Sequence, residues 1–182
     1  MGKLNAAVGC LYCDYRGQKE QTAEVMIGSL LRQFVRGLPE IPETITQAFH
    51  VARRQLGGRV LGLVELLELF PAVLGHFKEV FICVDALDEF VPEYRPRFLC
   101  SLRQIVDKSP NTRLFLTGRP HIQLEIGSRV PPDMDIITIQ PSFGDIEKYL
   151  VGKLDADPHP VAMSDDLRSE IMTKIQQESS EM

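Results

Sequence analysis

The chain has 182 residues, 44% apolar and 25% charged, with 13 Gly and 12 Pro. That is the balance of a globular domain, and it excludes a disordered segment or a collagen-like repeat. Twenty Lys and Arg against 25 Asp and Glu leave a formal charge of −5, and the basic residues are scattered without forming a stripe, so nucleic acid is not an expected partner.

Gly9 to Tyr15 (GCLYCDY), ending at Arg16-Gly17, predicts a strand and a turn. Ala23, Met26, Ile27, Leu30, Leu31 and Phe34 recur at helical spacing and predict an amphipathic helix stopped by Gly37 and Pro39. Ile45, Phe49, Ala52 and Leu56 predict a second helix after Pro42, ended by Gly57-Gly58. Val60 to Leu74, closing at Gly75, reads as a buried helix, and Glu65, Glu68 and Pro71 make a membrane span unexpected. Met1 to Val8 carries no secretory or transit signal, so the cytoplasm is the expected compartment. Cys10, Cys13, Cys83 and Cys100 lie in apolar stretches and read as reduced thiols.

Glu79 to Asp85 (EVFICVD) is a continuous β-branched and aromatic run, which predicts a strand at the sheet centre covered on both faces. A helix follows, with Pro96 in its first turn, Phe98, Leu102 and Ile105 on one face, and Ser109-Pro110-Asn111 at its end. Thr112 to Thr117 (TRLFLT), halted by Gly118-Arg119-Pro120, and Met134 to Gln140 (MDIITIQ) predict two more covered strands. Ser142-x-x-Asp145 is a capping box opening a helix whose face is Ile146, Tyr149, Leu150 and Leu154. Asp155 to Pro160 reads as a linker. A last helix is expected from Ser164, with Asp165 and Asp166 in its first turn and Leu167, Ile171 and Ile175 on one face. Strands alternating with helices predict an α/β fold, a parallel sheet with flanking helices, whose ligands gather at the carboxyl ends of the strands.

Two of those strand ends carry chemistry. Val84-Asp85-Ala86-Leu87-Asp88-Glu89 sets three carboxylates directly after a buried strand. In nucleotide-hydrolysing folds the first acid of such a group holds Mg²⁺ and a following acid orients or deprotonates the attacking water. Asp85 is therefore the candidate metal residue and Glu89 the candidate catalytic base, with Asp88 second. The competing explanation is three solvated acids in the first turn of a helix, favoured by its dipole. Thr117-Gly118-Arg119 adds a hydroxyl and a guanidinium whose planar fork suits phosphate. Thr117 and Arg119 are candidate nucleotide contacts, and Arg119 is also a candidate catalytic cation, although Arg119 alone would read as a solvated turn residue. Cys10-x-x-Cys13 has a redox or zinc spacing, but on a strand the two side chains point to opposite faces, and no second pair completes a zinc site. His50, His76, His121 and His159 are dispersed and suggest no hydrolase triad.

VFICVDALDEF and RLFLTGRP, preceded by YCDYR and followed by FGDIEKYL, together resemble the NACHT nucleotide-binding domain of STAND-class signalling ATPases, especially the fungal, nephrocystin-like N-terminal type. The resemblance implies a partial P-loop NTPase fold of the ASCE/STAND type, with residues 1–141 as the nucleotide-binding domain and 142–182 as the start of a helical subdomain. It also implies a Walker B segment at Val80 to Glu89, a sensor-one segment at Thr117 to Arg119, Mg²⁺ and ATP or ADP as cofactors, and self-association or partner domains in a longer switch protein. A phosphate loop needs GxxxxGK followed by Ser or Thr. The sequence has none: Gly2-Lys3 runs into Leu4, and Gly57-Gly58-Arg59 lacks the lysine. In the resembling family the loop lies upstream, so the chain is expected to begin after it, to bind nucleotide weakly or not at all alone, and not to hydrolyse it.

The resemblance further places the phosphate-loop strand between the strands carrying Asp85 and Thr117. Those strands should then either close on each other or leave unpaired groups costing about 1 to 3 kcal/mol each if buried, with marginal stability as the result. The alternative function is a non-catalytic interaction or scaffold module that keeps the fold.

Overall fold

The computed structural model describes residues 4–55, 58–130, 134–139, 142–156 and 164–179. The chain divides into two compact units, Met1–Met134 and Asp135–Met182. In the first, strands β1 (Leu4–Tyr12), β2 (Phe77–Asp85) and β3 (Thr112–Leu116) form a parallel sheet in the order β1-β2-β3. Helices α1 (Ala23–Arg36), α2 (Glu43–Arg54) and α3 (Leu63–Leu74) separate β1 from β2. Helix α4 (Arg95–Lys108) joins β2 to β3, and α5 (Gln123–Arg129) follows β3.

Local chemistry sets the helix ends. The Thr22 hydroxyl accepts the Val25 N–H to cap α1, and the Gly37 N–H returns to the Phe34 and Val35 carbonyls at its far end. The six apolar positions of the α1 stripe are all buried. α1 packs on β1 and α3, and α4 packs on β3 and α3. Gly9 permits the first of these contacts, because a Cβ there would stand 2.7 Å from the Phe34 ring and 3.0 Å from Leu30.

β2 is the central strand, as its sequence predicts, but it is not covered equally on both faces. Val80, Ile82 and Val84 are buried under the helices, whereas Phe81 and Cys83 are half-buried and Asp85 is exposed on the opposite face. Tyr12 (73% exposed) and Phe115 (62%) lie on that open face too. The sequence run does not alternate because its outward residues, Phe81 and Cys83, are themselves apolar.

β2 and β3 pair directly, from Val80 opposite Thr112 to Val84 opposite Leu116. The ladder continues beyond β3, with the Thr117 N–H donating to the Val84 carbonyl at 2.9 Å. No gap separates the strands carrying Asp85 and Thr117, which removes the reason for expecting marginal stability. The sheet edges differ. On β1, the Gln33 side-chain amide donates to the Cys10 carbonyl and accepts the Cys10 N–H, both at 2.9 Å. On β3, no strand pairs with the outer edge among the described residues.

The expected strand at Met134 to Gln140 does not form over its described residues, 134–139. Ile137 and Ile139 are 79% and 87% exposed. β-branched residues favour strands mainly through the packing a sheet offers, and no ladder partner reaches this segment among the described residues. β1 also begins earlier than predicted, at Leu4, and stops at Tyr12. Leu56, Gly57, Gln140 and most of the predicted linker lie outside the described residues.

In the second unit, α6 (Phe143–Asp155) starts at the predicted capping box: the Ser142 hydroxyl accepts the Asp145 N–H at 3.2 Å, and Asp145 accepts the Ser142 N–H at 3.3 Å. α7 (Asp165–Ser179) is tied to α6 by the Arg168–Asp155 ion pair at 2.5 Å.

The close contact at Gly9 gives a direct test. Gly9→Ala should destabilise the chain by about 1 to 3 kcal/mol, the usual cost of overpacking a filled site, measured by denaturant unfolding. Phe34→Leu in the same chain, which removes the ring tip, should recover part of the loss.

Candidate functional site at the ends of the central strands

Asp85 ends β2 in register with Tyr12 of β1, and its carbonyl accepts the Cys13 N–H at 3.0 Å. The next residue, Ala86, has left-handed backbone angles, φ 53° and ψ 45°. A residue with a Cβ adopts that region only when its surroundings impose it. Here they do. The Ala86 N–H donates to the Thr117 hydroxyl at 3.0 Å, the Leu87 N–H donates to the Thr117 carbonyl at 2.9 Å, and the Thr117 hydroxyl donates to the Asp85 carboxylate. One threonine therefore uses its single hydroxyl proton on the acid and a lone pair on the backbone beyond it.

A single 3-10 turn over Leu87–Glu89 carries the other two acids. Asp88 accepts the Arg119 N–H at 3.2 Å through Oδ1 and pairs with the Arg119 Nε at 3.3 Å through Oδ2. The Asp88 side chain is 9% exposed and the Arg119 side chain 75%, so the acid anchors the pair from inside. Glu89 accepts the Tyr15 N–H at 3.1 Å, which ties the turn to the segment after β1. The structure thus brings Asp85 and Thr117 into direct contact and Asp88 and Arg119 into a second contact, at the ends of adjacent strands. Gly118 lies between the two contacts, where a Cβ would meet Ile122 at 2.7 Å.

Sequence reasoning passed over Arg95. It is buried at the first position of α4, donates to the Phe90 carbonyl at 2.8 Å and the Asp88 carbonyl at 3.4 Å, and pairs with Glu125 of α5 at 2.9 Å. Arginine at a helix N-terminus opposes the dipole. That mismatch, directly before Pro96, was the available signal that the residue has fixed partners. Phe90 stacks on Phe98 at 5.0 Å and fastens the same loop to α4.

The strand-end acids also act on Cys13. Burial first, then the negative charges of Asp85 and Glu89, push its thiol up to about 12, so it stays protonated and is no nucleophile at neutral pH. Among the described residues, no three His, Cys, Asp or Glu side chains form a group able to hold a metal alone. One exposed carboxylate beside a hydroxyl fits a Mg²⁺ ion that takes most of its ligands from water and phosphate oxygens.

A profile of the family described as nephrocystin 3, N-terminal, matches residues 2–119. The chain belongs to the nephrocystin 3 N-terminal family. The match spans the sheet and both strand-end contacts and stops at Arg119. No curated protein matches the chain. No helix of the described residues is long and apolar enough to cross a membrane.

Removing the buried cation should loosen the acidic turn. Arg95→Ala leaves Glu125 and two loop carbonyls without their partner and should cost about 2 to 3 kcal/mol, at or below the low end for a broken buried pair because Glu125 reaches solvent. Chemical denaturation measures the loss, and hydrogen exchange at Asp88 to Phe90 should rise with it.

Proposed function

We propose that this chain supplies the Walker B and sensor-one half of the nucleotide site of a NACHT-type, STAND-class P-loop ATPase, and works as part of a signalling switch once a phosphate loop completes that site. The observation that carries this proposal is the contact between the Thr117 hydroxyl and the Asp85 carboxylate. It sets a polar group and an acid from neighbouring parallel strands side by side at their carboxyl ends, where ligands of open α/β sheets bind.

Each residue then has a role consistent with its contacts. Asp85, exposed at the strand end, would hold Mg²⁺ through its oxygens, and Thr117 fixes that carboxylate and reports on the γ-phosphate. Glu89, the last acid of the turn, is the proposed general base, with Asp88, whose oxygens both meet Arg119, second. Arg119 keeps a largely exposed guanidinium that Asp88 aims and that phosphate oxygens would receive in a bidentate contact. Mg²⁺ would supply charge neutralisation on the β- and γ-phosphates. The sequence has no GxxxxGK followed by Ser or Thr, so this half alone binds ATP or ADP weakly and does not turn it over. Because β2 and β3 pair directly, a strand carrying such a loop would not lie between them, as the resemblance implies, but would join at the outer edge of β3, unpaired among the described residues. Nucleotide-dependent closure would then bias a resting state against a self-associating one by differential affinity.

Titration of Mg-ATP and ADP into the chain, and into a version extended through the upstream reading frame to include a phosphate loop, tests the proposal. Tight binding by the extended form, weakened at least tenfold by Asp85→Ala when Mg²⁺ is present, is the expected result. If the extended form is folded and ignores nucleotide, the module is an interaction scaffold that keeps the fold without the chemistry.

A further inference from the structure

Cys10 and Cys83 stand opposite each other in the β1–β2 register. Alternation along both strands puts them on the open face of the sheet, in line with exposed Tyr12 and Asp85 two residues further on. Both are free and half-buried, so small solutes can reach them. Neighbouring strands run about 5 Å apart, which is inside the Cα separation of about 4.4 to 6.8 Å that a disulfide spans. The thiols also influence each other: burial first, and then the adjacent Cys10, raise the Cys83 thiol above its ordinary range. Gln33 clamps both backbone groups of Cys10 and holds it in register. The other two cysteines are placed differently, with Cys13 buried beneath the strand ends and Cys100 exposed on α4.

We propose that Cys10 and Cys83 form a redox-modified dithiol site that closes a reversible cross-strand disulfide when a peroxide reaches the open face of the sheet. In the first step the Cys10 sulfur attacks hydrogen peroxide, since burial holds the Cys83 thiol protonated; the O–O bond breaks, and a sulfenic acid and one water result. The second sulfur then attacks the first, the S–O bond breaks as the S–S bond forms, and the hydroxyl leaves with the remaining thiol proton as a second water. Two thiols lose one electron each, and the peroxide is reduced to two waters. The link falls two residues before the Tyr12 and Asp85 pair, so it ties together the strands whose ends bear the acids.

Peptide mapping of the full chain tests the site. The protein is treated with a few equivalents of hydrogen peroxide, its free thiols are blocked with N-ethylmaleimide in denaturant, and it is digested without reductant. Of the four cysteines, two should lose reactivity, a single linked peptide should join Cys10 to Cys83, and dithiothreitol should restore all four. Cys100→Ser should leave this loss of two thiols unchanged. Cys10→Ser and Cys83→Ser should each abolish the link. Independently of any variant, untreated wild-type protein should capture one phenylarsine oxide across the two sulfurs. Four free thiols after oxidation, a link involving Cys13, or dimers joined through Cys100 in place of the internal bond would overturn the proposal.

Discussion

The contact on which the site depends is the Thr117 hydroxyl placed between the Asp85 carboxylate and the Ala86 N–H. A parallel pair of strands fixes the spacing of its backbones, but it does not fix where the chain turns once the ladder ends. Thr117 does so here. Its backbone carbonyl receives the Leu87 N–H while its own N–H reaches back to Val84, so the exit from β2 is bonded on both sides of Ala86. The left-handed conformation of an alanine, which costs about 1 to 2 kcal/mol in isolation, persists because these bonds require it. The result is an acid fixed at the mouth of the sheet by the neighbouring strand.

The remaining charges divide between support and display. Asp88 turns inward and is neutralised by Arg119, and the buried Arg95 gathers the carbonyls of the acidic turn with Glu125 at its other end. Three carboxylates within five residues would repel one another and lose hydration if all were buried. Committing one of them to an ion pair lets the turn pack tightly while Asp85 remains exposed. Cys13, beside them, is raised first by burial and then by the charges of Asp85 and Glu89.

Much of this was legible in the sequence. The α1 stripe, the placement of β2 at the centre and the Ser142–Asp145 capping box follow from periodicity and local hydrogen-bond chemistry, which depend on near neighbours only. Asp85, Asp88, Glu89, Thr117 and Arg119 were recognisable because two polar clusters follow two apolar runs. Their partners were not recognisable. That Asp88 would take Arg119 while Asp85 took Thr117 depends on the register of β2 against β3, which no local pattern encodes. The expected strand at Met134 to Gln140 failed for a related reason, since its isoleucines describe a surface that needs a neighbour. The open face of the sheet was hidden because Phe81 and Cys83 are apolar although they point away from the helices.

The sheet order gives the strand-end contacts their meaning. With β2 paired on both sides and β1 clamped at Cys10 by Gln33, the polar groups of two adjacent strands converge at one end without any intervening element. A double-mutant cycle between Asp85→Ala and Thr117→Val, read by denaturant unfolding, measures that convergence most directly. Coupling of about 0.5 to 2 kcal/mol is the predicted result, as for residues that share a hydrogen bond. Strict additivity, within about 0.3 kcal/mol, would mean that the hydroxyl and the carboxylate do not hold each other, and the account would fail at its first step.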